Sequence, residues 1–246
     1  MKIAAITSMD KKYYSHCGKA MLTSHKKNAS DLFPLYVYNE DDFLVKVKTA
    51  HSIGWNLGTD YEEFQKRHSN EKVKTFAKKG FPIIDAMENF ECDRLMWLDA
   101  DLIIRQPIPL QLLELISPDD ILSTHFSVWH TKDSVEYHSC ETGFFILNKQ
   151  HPGFEEFKNT YKTIYTQDKT EDLRRFYDGE VYGKTVELME AKGYKMMNLN
   201  SGRHKTPISR SIMKPYITHF KAGLKDRFDN NTLESKFDLG DDDIAD

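Results

Sequence analysis

The sequence predicts an α/β fold, because strand and helix patterns alternate from its beginning. An apolar strand is predicted at residues 2–7, a helix follows it to about residue 27, and a second strand occupies residues 35–38. This strand–helix–strand order is typical of a βαβ unit, in which two parallel strands share one sheet. Apolar runs predict later strands at residues 94–98, 121–124, 142–147, 195–199 and 216–219.

Three further helices are predicted from proline, glycine and apolar spacing. Pro82 suits the first turn of a helix that runs to about Asn89, because the N–H that proline lacks has no helical partner there. Residues 152–166 have the apolar spacing of an amphipathic helix. Another helix is predicted to begin near Asp178 and to end before Gly193, since glycine is common just after a helix.

Residues 1–237 of the 246-residue sequence are expected to form a single domain. No internal repeat and no linker rich in proline, serine or glycine divides the sequence. For residues 43–75, the sequence predicts only short helices and a loop within this domain. Residues 238–246 contain five aspartates and are expected to form an acidic, solvated and poorly ordered tail.

Composition and charge exclude several classes of protein. The net charge of −4 argues against a nucleic-acid partner, since binders of polyanions usually carry a basic excess. No apolar run is long enough to span a bilayer, and the beginning of the sequence is too polar for a signal peptide. Three cysteines without CxxC spacing argue against a disulfide framework or a structural zinc site. These bounds predict a reduced, cytoplasmic protein without a transmembrane segment.

Two aspartates directly follow the apolar strand at residues 94–98 and precede a second apolar piece at residues 102–104. Asp99 and Asp101 at the carboxyl end of a strand are expected to reach the crevice where ligands bind in open α/β sheets. Two carboxylates this close repel each other unless a cation lies between them or one is protonated. Mg²⁺ or Mn²⁺ accepts carboxylate oxygens and keeps positions open for phosphate oxygens, and the small Ala100 leaves room for it. The alternative is a plain turn, where aspartate is common.

Four segments resemble the GT-A glycosyltransferases of the glycogenin and lipopolysaccharide galactosyltransferase type. They are AITSMDKKYYSHCGKAMLTSHKKN at 5–28, LMWLDADLII at 95–104, ETGFFILN at 141–148 and HFKAGLK at 219–225. The resemblance implies an α/β GT-A (Rossmann-like) domain, with a central mixed, mainly parallel sheet flanked by helices. It also implies a nucleotide-sugar donor and a divalent metal cofactor.

The resemblance assigns the metal ligands and the cations of the diphosphate site. Asp99 would contact the ribose or the ion, and Asp101 and His219 would bind the ion. Imidazole suits Mn²⁺ better than Mg²⁺, so His219 favours manganese. Lys221 and Lys225 would stabilise the departing diphosphate. The alternatives are a partly buried histidine bound to a backbone carbonyl and ordinary solvated lysines.

The nucleotide is expected on the loop after the first strand, where the resemblance places base and ribose. The candidates of this loop are Thr7, Ser8, Asp10, Tyr13 and Tyr14. Either tyrosine could stack on a pyrimidine, and stacking of this kind contributes about 1–3 kcal/mol per base. Asp10 is also suited to capping the first helix. Lys78 and Lys79 lie where related enzymes often carry a basic residue that faces the sugar diphosphate, although surface charge is an equal explanation.

The sugar side of the cleft is predicted from later acidic residues. Glu141 could hydrogen-bond sugar hydroxyls, and Gly143 permits close approach of the backbone. Asp178 would contact the donor sugar or the acceptor hydroxyl, or only complement the dipole of its helix. Further candidates are the aromatic and polar group His125, Trp129 and His130 for sugar stacking, and Arg174 and Arg175 for an anionic acceptor.

The sequence therefore predicts a metal-dependent glycosyltransferase that uses a UDP-sugar or a related donor and a hydroxyl acceptor on a glycan. Asp178 or Glu141 would take the acceptor proton if the enzyme inverts configuration. The first alternative is a noncatalytic nucleotide-sugar or glycan-binding module of the same fold. The second is an Asp-x-Asp phosphatase, which usually has the motif on its first strand. The sequence leaves stereochemistry and oligomeric state open.

Overall fold

The computed structural model describes residues 1–43, 45, 47–132, 135–168, 173, 175–200, 202 and 207–220, with the backbone alone at 131, 132 and 135–138. The described strands are β1 (Ile3–Met9), β2 (Leu35–Asn39), β3 (Ala50–Gly54), β4 (Arg94–Leu98), β5 (Leu102–Ile104), β6 (Ser123–His125), β7 (Ser127–Lys132), β8 (Val135–Cys140), β9 (Phe144–Asn148), β10 (Met196–Asn198) and β11 (Ile217–His219). The described α-helices are α1 (Lys11–Tyr13), α2 (Lys19–Asn28), α3 (Gly58–Arg67), α4 (Glu71–Asn89), α5 (Leu110–Ile116), α6 (Phe154–Thr166) and α7 (Asp178–Ala191).

A seven-stranded sheet has the order β10-β6-β9-β4-β1-β2-β3. Within it, β9 is antiparallel to both of its neighbours, and the other neighbouring pairs are parallel. Two smaller pairings complete the described strands: the hairpin β7–β8, and β11 antiparallel to β5. The predicted α/β class with a mixed, mainly parallel sheet is confirmed.

Helices cover both faces of this sheet. On β4, Met96 and Leu98 pack in the layer that contains α2 and α5. Leu95 and Trp97 pack on the opposite face, against α4, α6 and α7. A strand that is buried on both faces has apolar side chains on both of them. Residues 95–98 therefore form a continuous apolar run instead of alternating between apolar and polar residues. Among the described residues, no helix combines the length and the apolar character that a membrane crossing requires.

The prediction that Pro82 begins a helix is wrong. It lies inside α4, which starts at Glu71 and is capped by the side chain of Asn70. Proline cannot donate to the carbonyl four residues earlier, which is that of Lys78. The hydroxyl of Ser8, at the end of β1, donates to this carbonyl at 3.2 Å. The loop after β1 therefore compensates for the proline, and the helix continues through it.

Four other elements differ from the sequence-based expectations. Residues 43–75 contain the edge strand β3 as well as α3 and the start of α4. The hairpin β7–β8 and the helix α5 were not predicted. Gly179 and Gly183 let α7 lie against β8, because a Cβ at these positions would be 2.4 Å from the Cys140 carbonyl oxygen and 3.1 Å from the Ser139 Cα. This close contact places the start of α7 beside the segment that leads into β9.

Candidate functional site

A cavity of about 590 Å³ opens where β1 and β4 end. In open α/β sheets the carboxyl ends of the strands are the usual place for a ligand. The cavity is lined by Ser8, Met9, Asp10, Tyr13, Glu40, Thr75, Phe76, Lys78, Lys79, Trp97, Asp99, Ala100, Asp101, Asp178 and His219.

Asp99 lies in a turn between β4 and β5. Its backbone N–H donates to the Gly143 carbonyl at 2.9 Å, and its own carbonyl accepts from Leu102 at 3.0 Å. Its carboxylate accepts from the Trp97 indole and from the Lys79 ammonium, both at 2.6 Å. Burial disfavours the charged carboxylate, but Lys79 and His219 outweigh it and hold the pKa of Asp99 below its ordinary value. Asp99 is therefore an ionised carboxylate held in place from two sides.

His219 reaches the aspartates because β11 pairs with β5, with His219 opposite Leu102. Its Nε2 lies 3.0 Å from Asp101 Oδ1 and 3.5 Å from Asp99 Oδ2. Asp101 is 3% exposed and also accepts from the Tyr13 hydroxyl at 3.3 Å. Burial disfavours the imidazolium, but the two aspartates outweigh it and raise the pKa of His219 to about 9. The two carboxylates therefore favour a positive charge next to them. In the absence of a metal ion, the protonated imidazole of His219 provides this charge.

Glu141 adds a third carboxylate on the other side of the imidazole. Its Oε1 lies 3.3 Å from His219 Nδ1 and accepts from the Gly143 N–H at 3.3 Å. The distance to Nδ1 is that of an ion pair, and Nδ1 makes no hydrogen bond with a described residue. Asp99, Glu141 and His219 each offer a ligand atom, and these atoms lie within 4.8 Å of one another. Carboxylates with one imidazole suit a divalent ion such as Mn²⁺.

Gly143 lies against the ring of His219. A Cβ at this position would be 2.5 Å from His219 Cε1 and 2.7 Å from Nδ1. Real side chains do not approach this closely, so only glycine leaves room for the ring. Gly143 was expected to permit close approach of the backbone on the sugar side of the cleft, and the group that lies against it in the structure is the imidazole of His219.

Lys79 connects Asp99 to Asp178. Its ammonium lies 2.6 Å from Asp99 Oδ1, 2.6 Å from the Thr142 carbonyl and 3.1 Å from Asp178 Oδ2. Burial works against the charge on Lys79, but Asp99 and Asp178 outweigh it and raise its pKa. With three acceptors around three ammonium hydrogens, Lys79 holds the two carboxylates in a fixed relation.

The loop after β1 contributes some of its predicted residues to the cavity. Ser8, Asp10 and Tyr13 line it, and Asp10 also caps α1 through the Tyr13 N–H at 2.5 Å. Thr7 is fully buried in β1 and is not among the lining residues. The ring of Tyr14 packs on Phe43 with 4.8 Å between centroids. Of the two tyrosines, Tyr13 is the one that lines the cavity.

Other candidates lie elsewhere. His125 is 1% exposed and hydrogen-bonds Ser127, so the proposal that it stacks on a sugar is wrong. His130 lies on β7 and bonds the Ser139 hydroxyl at 2.9 Å. Lys221, Lys225, Arg174 and the tail 238–246 lie outside the described residues.

The sequence reasoning missed the ion pair between Lys78 and Glu40, at 2.8 Å, which lines the cavity. No sequence pattern predicts it, because it joins α4 to the end of β2. The Trp97 indole was also missed as a partner of Asp99. The sequence spacing does indicate this contact, because side chains two residues apart on a strand point to the same face.

Comparisons with known proteins identify the fold. No protein-family model and no curated protein sequence matches the chain. The galactosyltransferase LgtC, solved with donor and acceptor sugar analogs, matches with a TM-score of 0.56 and 14% identity over 95% of this chain and 96% of that one. The chain has the GT-A glycosyltransferase fold. The resemblance expected from the four sequence segments is confirmed at this level.

Two other solved glycosyltransferases share this GT-A fold. GlyE of Streptococcus pneumoniae matches with a TM-score of 0.55 and 14% identity over 98% of this chain, which spans 61% of the length of GlyE. A glycosyltransferase involved in the glycosylation of the major capsid of PBCV-1 matches with a TM-score of 0.54 and 12% identity, over 93% of this chain and 100% of that one. At these identities the comparison establishes the GT-A architecture, and function depends on the site.

Proposed function

We propose that the protein is a metal-dependent glycosyltransferase that transfers a sugar from a nucleotide-diphosphate donor, preferably a UDP-sugar, to a hydroxyl of a glycan acceptor. One observation carries this proposal: β11 brings His219 to Asp99 and Asp101 at the edge of the sheet, inside a cavity of about 590 Å³. An imidazole between two carboxylates at this position suits an ion that binds a diphosphate.

Asp99, Asp101 and His219 would hold the ion, with Glu141 next to them. The raised pKa of His219 and the space that Gly143 leaves for its ring support this assignment. The donor set favours Mn²⁺ over Mg²⁺ because it includes an imidazole. When bound, the ion supplies Lewis-acid stabilisation of the leaving diphosphate. Lys221 and Lys225, which follow His219 in the chain, remain the proposed cations for the same phosphates.

Tyr13 and Asp10 are the proposed base and ribose contacts. Both line the cavity, and Tyr13 is fixed by its hydrogen bond to Asp101. Phe76 lines the same cavity and adds a second aromatic face. Ser8 and Ala100 complete the wall near the ribose, where small side chains leave room for it.

Asp178 is the proposed contact for the donor sugar or the acceptor hydroxyl. The Oδ2 of Asp178 lies 3.1 Å from the Lys79 ammonium and accepts from the Thr142 hydroxyl at 2.5 Å. These two contacts fix the orientation of the carboxylate and therefore the position of Oδ1. Lys79 acts here as a positioning residue, because its hydrogens are directed at Asp99, Thr142 and Asp178. The anomeric configuration of the product, read by NMR, shows whether a base is needed: inversion requires one, for which Asp178 is a candidate, whereas retention leaves Asp178 as a sugar contact.

A panel of nucleotide sugars tests this function. With Mn²⁺ present, we expect slow hydrolysis of one donor, since water can replace the acceptor. Asp101→Asn should lower this rate at least about 100-fold, because a neutral amide binds a hard cation poorly. Asp31→Asn, at an exposed position, is the matched control and should keep the rate.

Three results would contradict the proposal. Asp101→Asn with unchanged turnover would remove the metal role. Phosphate release from simple phosphomonoesters would favour the phosphatase. Binding of a nucleotide sugar without turnover, with or without glycan acceptors, would favour the noncatalytic module.

A further inference from the structure

Glu141 is a buried carboxylate that faces His219. We propose that Glu141 is a positioning residue of the metal site, which accepts the Nδ1 hydrogen of His219 and thereby leaves the Nε2 lone pair for an ion held by Asp99 and Asp101. This inference rests on the proposed function, because it concerns the same metal site. It assigns Glu141 a role other than that of a catalytic base.

The two ring nitrogens of His219 face different groups. Nε2 lies 3.0 Å from Asp101 Oδ1 and 3.5 Å from Asp99 Oδ2, and Nδ1 lies 3.3 Å from Glu141 Oε1. A neutral imidazole carries its hydrogen on one nitrogen and offers a lone pair on the other. An acceptor near Nδ1 therefore favours the tautomer whose Nε2 binds a metal.

Glu141 is itself held in place. Its backbone N–H donates to the Phe126 carbonyl at 2.8 Å, and its Oε1 accepts from the Gly143 N–H at 3.3 Å. Its side chain is 8% exposed, so water does not compete freely for this oxygen. The carboxylate is thus present before a metal binds, at 3.3 Å from Nδ1.

The contact with Gly143 makes the orientation of the ring important. In the observed orientation Cε1 lies over Gly143, where a Cβ would be 2.5 Å away. Turning the ring by half a turn would place Nε2 over Gly143 and remove it from Asp101. Glu141 opposes this turn, because Nδ1 would leave its carboxylate. The interaction therefore selects both the tautomer and the orientation that a metal ligand needs.

Binding of Mn²⁺ to the 246-residue protein tests this inference, with free Mn²⁺ measured by electron paramagnetic resonance. Glu141→Ala should weaken binding by about 10- to 100-fold, the usual effect of losing such a partner. Glu141→Gln should lose less, because its amide oxygen still accepts from Nδ1. Glu180→Gln is the matched control: Glu180 is 6% exposed and accepts from the Arg175 N–H at 2.7 Å, and its loss should leave Mn²⁺ affinity unchanged.

A second readout separates positioning from direct ligation. In the Mg²⁺-loaded protein, ¹⁵N NMR should show His219 protonated on Nδ1, and Glu141→Ala should populate the other tautomer or a mixture. Weaker Mn²⁺ binding with an unchanged tautomer would make Glu141 a ligand and overturn the inference. Unchanged Mn²⁺ affinity in Glu141→Ala together with an unchanged tautomer would also overturn it, and Glu141→Leu, which likewise has no acceptor, takes its place if the alanine variant does not fold. Absence of Mn²⁺ binding by the wild-type protein would overturn the metal part of the proposed function as well.

Discussion

His219 carries a positive charge in the metal-free protein, because Asp99 and Asp101 face its Nε2. Its pKa rises from the ordinary 6.5 to about 9, despite burial that works against the charge. A proton and a divalent ion therefore compete for the same nitrogen. Metal affinity should increase with pH until His219 has lost its proton.

The stability of the metal-free protein should depend on this proton. A histidine whose pKa is higher in the folded state contributes its full stabilisation below pH 6.5 and loses it as the pH rises through about 9. In chelator, the free energy of unfolding should fall by up to about 1.4 kcal/mol per pH unit across this window. Urea titrations at several pH values measure it. His219→Asn should lack this slope, and an equal slope in the variant would assign the effect to another group.

Residue types and spacing predicted part of the site. Asp99 and Asp101 were predicted because two carboxylates this close at the end of a strand repel each other unless a cation lies between them or one is protonated. The partnership of Glu141 with His219 was not predicted, since it depends on the register of β11 on β5. Lys79 was expected to face the diphosphate, but the structure directs its ammonium to two carboxylates and a carbonyl. Such pairings follow from tertiary geometry, which no local pattern encodes.

At the scale of elements, α4 shows how a local rule can mislead. Proline is common at the first turn of a helix, yet Pro82 lies well inside this one. The sequence did contain the true start, because Asn70 before Glu71 is a good capping residue. The edge strand β3 gave no comparable signal, since its sequence AHSIG has no run of apolar residues. The apolar strands of the sheet centre were predictable because burial on both faces requires such runs.

The Ser8 hydroxyl should stabilise α4 through the Lys78 carbonyl that Pro82 leaves without its usual donor. Ser8→Ala should lower the free energy of unfolding by about 1 kcal/mol, the typical value of one hydrogen bond. In a Pro82→Ala background the new N–H can satisfy this carbonyl, so Ser8→Ala should cost less there. Denaturant titrations of the two single variants and the double variant give the coupling.

Ser15→Ala is the control for this cycle. The Ser15 hydroxyl donates to the Lys11 carbonyl, which already accepts from the Tyr14 N–H. Its removal should change stability by less than about 0.5 kcal/mol. Additive effects of Ser8→Ala and Pro82→Ala would show that the hydroxyl does not compensate for the proline.

At the scale of the molecule, strand order brings the site residues together from distant parts of the chain. The central positions of β4 and β1 place the Asp99 turn next to the loop after β1. The fold class was predictable because alternating strands and helices leave few arrangements, and four short segments resembled one of them. Which sugar the proposed transferase would carry depends on a few side chains in the cavity rather than on this architecture.

Ligand binding should raise the melting temperature of the whole protein. Mn²⁺ together with UDP, at 100 times the dissociation constant, should add about 2.7 kcal/mol to the free energy of unfolding. UDP alone should add less, because the diphosphate lacks its cation. Differential scanning fluorimetry measures both shifts. In Asp101→Asn the increment from Mn²⁺ should disappear, and an equal increment would place the ion elsewhere.

The pairing of β11 with β5 also has a consequence for the time at which the site forms during translation. The last described strand of the seven-stranded sheet, β10, ends at Asn198, whereas His219 is synthesised later. A nascent chain can assemble the sheet and place Asp99 and Asp101 before this imidazole has left the ribosome. A product cut short before Ile217 would retain all seven described strands of the large sheet and lack the histidine that faces the two aspartates.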